Sequence, residues 1–138
     1  MLFPHSYYSK KTEKEINALV GKPIGFIKRI KMRGIGSQRF LVSEANEEIS
    51  ELLTRQNTPP YTNIELRPKG IIFWFKVKLD SWVLVLPYYK LNVFKNAENM
   101  ILYSDHWKLK LSPAHNSTFN LKFFRKLIRL KAEVIDMP

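Results

Sequence analysis

The sequence predicts an α+β domain: an antiparallel meander of short strands, or a partly open barrel, capped by a C-terminal amphipathic helix and preceded by a helix–hairpin–helix extension. Three observations lead there. Ile71, Phe73, Phe75, Val77 and Leu79 share one parity while Lys76 and Lys78 share the other, the period of a strand with one buried face. Turn-forming residues recur at short, regular intervals from Thr62 to Leu111, too closely for helices to alternate with the strands. From Ser117 to Lys131 the apolar residues change to helical spacing and the charges carry one sign.

In chain order, Thr12-x-x-Glu15 has capping-box form and Ile16, Leu19 and Val20 make a helical stripe, so a first helix is expected over Thr12–Val20, ended by Gly21 and Pro23. Ile24, Phe26, Ile30 and Met32 then alternate with Arg29, Lys31 and Arg33. That pattern suggests a strand with one solvated face, with Lys28 the exception on the apolar side. Gly34-Ile35-Gly36-Ser37 suits a turn, with Arg39–Val42 returning as the second arm of a hairpin. Ser43, followed by Glu44, Glu47 and Glu48, reads as a capped helix start; Ile49, Leu52 and Leu53 form its apolar stripe and Arg55 its last turn. Asn57-Thr58-Pro59-Pro60 is the expected loop and subdomain joint, separating an N-terminal α/β extension (1–58) from a sheet-plus-helix region (62–131).

Within that region the expected strands are Ile64–Arg67, Ile71–Leu79, Trp82–Leu86, Leu91–Phe94, Met100–Tyr103 and Trp107–Leu111. The final helix is expected from Ser117 or Thr118 to about Lys131. At about 100° per residue, Phe119, Leu121, Phe123, Phe124, Leu127, Ile128 and Leu130 cover one side, and Lys122, Arg125, Lys126 and Arg129 the other.

Composition narrows the classes. A chain of 138 residues forms one core, burying roughly two-thirds of its unfolded surface. With 45% hydrophobic residues it is far from a disordered composition. Twenty-three Lys and Arg against 12 Asp and Glu give a net charge of +11, which favours polyanionic partners. The absence of cysteine excludes disulfides, thiolate catalysis and thiolate-bound zinc, and fits a reducing compartment. The apolar runs Ile71–Phe75 and Trp82–Leu86 are far short of the roughly 20 residues that span a bilayer, and Met1-Leu2-Phe3-Pro4-His5 lacks the form of a secretory signal. A cytoplasmic protein is expected, with peripheral attachment at the inner membrane face as a variant of that reading.

Ile64-Glu65-Leu66-Arg67-Pro68-Lys69-Gly70-Ile71-Ile72-Phe73 and Leu86-Pro87-Tyr88-Tyr89-Lys90-Leu91-Asn92-Val93-Phe94 carry a family resemblance. The first resembles the strand, "x-x-G-hydrophobic" turn and strand of bacterial pleckstrin-homology-like (PH-like) domains, and the second their "Ile-Pro-Tyr-x-x-Ile" segment. The resemblance covers roughly residues 62–131. It implies a small barrel capped at one end by the terminal helix, and a binding or assembly module for lipid headgroups, peptides or other proteins. It supplies no catalytic residue, and nothing in it corresponds to the region before Pro59.

His5, His106 and His115 lack metal-ligand spacing, so no metal or cofactor is expected. Gly34-Ile35-Gly36 lacks the third glycine of a dinucleotide loop, Arg39 standing in its place, and no nucleophile elbow occurs. The expectation is a protein that is not an enzyme. Two acid-free basic clusters are candidate anion sites: Lys28, Arg29, Lys31, Arg33 and Arg39, with Lys22 beside them, and the helix stripe Lys122, Arg125, Lys126 and Arg129. Each, taken alone, is also what a solubilising surface looks like. The leading expectation is a binding module for an anionic lipid surface or an acidic protein. The alternative is nucleic-acid binding, with the basic Lys28–Arg39 hairpin on phosphates and Trp74 or Trp107 stacking on bases.

Overall fold

The computed structural model describes residues 1–5, 9–114 and 117–135. Its elements are β1 (Leu2–Pro4), α1 (Lys10–Val20), α2 (Phe26–Met32), β2 (Phe40–Ala45), α3 (Glu47–Leu53), β3 (Tyr61–Leu66), β4 (Gly70–Val77), β5 (Asp80–Pro87), a 3₁₀ turn (Tyr88–Lys90), β6 (Asn92–Lys95), β7 (Met100–Ser104), β8 (Trp107–Pro113) and α4 (Leu121–Ile135). The strands form one open sheet in the order β1-β5-β4-β3-β2-β8-β7-β6, every pair antiparallel. β2 sits at its centre, held by β3 on one side and β8 on the other. Strands from before and after the 55–60 loop therefore share one sheet.

The alternation in β4 translates directly into two faces. Ile71, Phe73, Phe75 and Val77 point into the main core with Phe40, Ile64, Leu84 and Leu109, and α3 and α4 close that core with Ile49, Leu52, Leu53, Phe123, Leu127 and Leu130. Ile72, on the opposite parity, joins Val83 and Val85 under Ile16 and Val20 of α1. With both faces covered, β4 and β5 read as nearly continuous apolar runs. Ser9 caps α1, its side chain accepting from Thr12 N–H, and Gly21 at φ 86° ends it.

Five expectations change. The first helix starts at Lys10 under the Ser9 cap, not at a Thr12 capping box. Where a strand and hairpin were expected over 24–33, the chain forms the helix α2, and Arg39–Val42 pairs instead with β3 and β8 as part of β2. The reason is local: Arg33 (φ 60°) and Gly34 (φ 104°) adopt left-handed backbone. They close α2 with Arg33 N–H to Ile30 O and Gly34 N–H to Arg29 O, the paired bonds of a Schellman stop. The second helix starts at Asn46, not Ser43, because β2 continues through Glu44 and Ala45 to pair with Lys110 and Leu109 of β8. Leu79 lies outside the apolar face, 95% exposed in the β4–β5 turn behind Lys78 at φ 57°. The last helix starts at Leu121, with Asn120 Oδ1 accepting from Lys122 and Phe123 N–H, and runs to Ile135. No helix among the described residues is long and apolar enough to cross a membrane.

Candidate functional site

α2 is amphipathic in sequence yet inverted in space. None of its side chains is buried. Phe26, Ile27 and Ile30, spaced to share one face, are 76, 70 and 61% exposed. The segment is moored at its ends: Ile24 is buried in the main core, and Met32 and Ile35 pack against it. Arg29 ties the helix back to its own entrance, Nε donating to Ile24 O at 2.7 Å. The apolar face is consequently held outward, flanked by the exposed bases Lys22, Lys28, Lys31 and Arg33.

α4 brings the second cluster to the same place. Lys126 Nζ donates to the carbonyls of Arg33 and Gly34 at the end of α2. With about 100° per residue, Lys122 and Arg129 lie next to Lys126 around the helix and Arg125 lies just beyond, so the basic stripe borders α2. Leu121 and Ile128, expected on the buried side, are exposed on the other flank, 48 and 38%, where Ile128 faces Val93 and Phe94 of β6. The sequence from Gly21 to Ser43 and from His106 to Ala132 contains no carboxylate. Among the described residues, no base of α2 or α4 is in an ion pair. Lys126 thus brings the α4 stripe against the end of α2 and its bases, while Arg39 lies elsewhere.

Arg39 belongs to a second basic surface, a groove of about 700 Å³ over the outer side of β3 and β4. Tyr61, Asn63, Trp74 and Lys76 line it from the sheet, and Arg39, Arg55 and Lys78 line it from the neighbouring segments. The register that pairs Asn63 with Trp74 places them side by side. The Arg39 guanidinium lies over the Tyr61 ring at 5.4 Å. The 55–60 loop is fixed by Lys78 N–H to Gln56 Oε1 and by Val42 N–H to Pro60 O. Trp74, a stacking candidate of the nucleic-acid alternative, is half-buried between this groove and the α1 cluster, its ring 5.4 Å from that of His5. Trp107 is only 9% exposed, with its ring 4.3 Å from that of His106, and is a core side chain instead of a stacking platform.

Among the described residues no three His, Asp or Glu side chains converge as a metal site; His115 lies outside them. The exposed face of α2 was missed because the strand reading assigned Phe26 and Ile30 to a core. The i, i+1, i+4 spacing of Phe26, Ile27 and Ile30 is the signal that finds it. Comparison of the chain with protein-family models, curated proteins and solved structures finds no match.

Proposed function

We propose that the protein is a non-enzymatic PH-like module that attaches peripherally to an anionic membrane surface through the face built by α2 and α4. The observation that carries this reading is the outward apolar face of α2, with Phe26, Ile27 and Ile30 held in solvent and bases around them. A helix with apolar residues at the tip and cations at the flanks is the form that lies in the headgroup region, apolar side down. Each base near an anionic surface contributes about 1 kcal/mol, screened by salt; the apolar side chains add a part that salt does not weaken. An acidic protein would engage the cations but leave three large apolar side chains without a role. The PH-like part of the proposal is supported by the 64–94 motifs and by a terminal helix packed on an antiparallel sheet.

The test is co-sedimentation with phosphatidylcholine vesicles containing or lacking phosphatidylserine, across a salt series. Binding is expected only with the anionic lipid. Phe26→Ser/Ile27→Ser/Ile30→Ser should remove the salt-resistant part, and Lys122→Gln/Arg125→Gln/Arg129→Gln the salt-sensitive part. Equal binding to neutral vesicles, or variants that bind like the parent, would overturn the reading.

A further inference from the structure

We infer that the groove over β3 and β4 is a separate binding site for a nucleotide, a flat ring carrying phosphates. Arg39, Arg55, Lys76 and Lys78 line it, with the Arg55 guanidinium over the neighbouring Trp82 ring at 6.0 Å, and no carboxylate is among the residues that line it. Among the described residues none of the four is in an ion pair, so an anion of more than one charge meets no competing carboxylate there. The groove also offers what a bare anion does not need. The Arg39 guanidinium lies over the Tyr61 ring at 5.4 Å, a cation–aromatic pair beside which a base can stack, and Trp74 lines the groove beside the Asn63 amide, which can pair with a base edge. Its volume of about 700 Å³ is within the range of small-ligand sites and accommodates a mononucleotide.

Backbone geometry adds to this. Lys78 occupies left-handed backbone at φ 57°, a position that glycine fills without strain, and it lines the groove. The site is distinct from the α2–α4 surface. The groove takes Tyr61, Thr62 and Asn63 at the start of β3, whereas α2 leads into Ile35 and Gly36, which bond to Leu66 and pair with Glu65 at its far end.

The same chemistry comes from a free nucleotide or from one unit of a single strand. Titration of the full chain with ADP, pyrophosphate and a short single-stranded RNA, followed by tryptophan fluorescence and calorimetry, separates them. ADP or the RNA is expected to bind at least about tenfold more tightly than pyrophosphate, the tighter of the two identifying the source. Arg55→Gln and Lys76→Gln should each weaken that binding about tenfold while leaving the thermal midpoint and vesicle binding unchanged. Pyrophosphate binding as well as ADP and RNA, no binding by either nucleotide form, or indifference of both variants would overturn the assignment.

Discussion

The Lys126 ammonium reaches the carbonyl oxygen of Arg33 at 3.4 Å, and through it the end of one basic helix is tied to the side of the other. The adjacent Gly34 carbonyl, at 3.3 Å, is a second acceptor, so the cation closes on the left-handed turn that ends α2. Since α2 buries no side chain, this contact and the moorings at Ile24 and Met32 set its orientation. Lys126→Met should therefore do more than remove a charge. Hydrogen exchange of the α2 amides is expected to accelerate several-fold. Affinity for phosphatidylserine vesicles should fall by more than the roughly fivefold that one base is worth, the loss expected of Lys122→Gln. Equal losses in the two variants would show that α2 is oriented without Lys126.

Arg33 itself occupies left-handed backbone at φ 60°, where glycine is the favoured residue. Arg33→Gly is expected to raise stability by about 0.5–1 kcal/mol, measured by urea unfolding, and at the same time to weaken vesicle binding. Improved stability with unchanged binding would leave the arginine without a part in attachment.

Tyr88 gives a pH prediction. Its ring is fully buried and its hydroxyl donates to Arg67 O at 2.9 Å. Burial, with a smaller effect of Glu133, holds the phenol above its ordinary value of 10.0. The folded protein thus keeps a proton that the unfolded chain releases, and the stabilisation is complete below about pH 10 and is lost as pH rises above it. Tyr88→Phe should cost about 1–2 kcal/mol at pH 7 by leaving the Arg67 carbonyl without its donor. The gap between parent and variant in urea midpoints should then narrow above pH 10. A constant gap would mean that the phenol ionises in the folded state at no extra cost.

How much of this was legible in the sequence depends on whether a pattern had one geometric solution. The alternation of Ile71, Phe73, Phe75 and Val77 has one, and β4 follows it. Residues 24–33 have two: Ile24, Phe26, Ile30 and Met32 share a parity, and Phe26, Ile27 and Ile30 share a helical face. The tie is broken by the left-handed pair Arg33–Gly34, of which only the glycine is a sequence signal. Ser43 and Asn46 are both good caps, and the choice between them is made by β8, far away in sequence. On α4, the stripe Lys122, Arg125, Lys126 and Arg129 was readable because one helix holds all four. The groove was not, since it needs the β3–β4 register together with Arg39 and Arg55 arriving from other elements.

The approach of α1 to the sheet rests on Gly70, whose substitution separates two sources of strain. A Cβ there would lie 2.3 Å from Val20 Cγ1, 2.5 Å from Leu86 O and 2.9 Å from Pro87 Cα. Neighbouring bonds fix the geometry: Lys69 N–H donates to Val20 O at 2.8 Å, and the Arg67 guanidinium reaches Gly21 O and Asn17 Oδ1. Gly70→Ala is expected to cost about 1–3 kcal/mol by overpacking, seen as a lower thermal midpoint. Val20→Ala removes the nearest contact and leaves the Leu86 carbonyl in place. In a double-mutant cycle the two changes should therefore couple favourably, with Val20→Ala/Gly70→Ala still less stable than Val20→Ala alone. Full recovery to the Val20→Ala level would place all the strain on the valine and show that the Gly70–Leu86 backbone yields; no coupling would mean that α1 moves off the sheet as a unit.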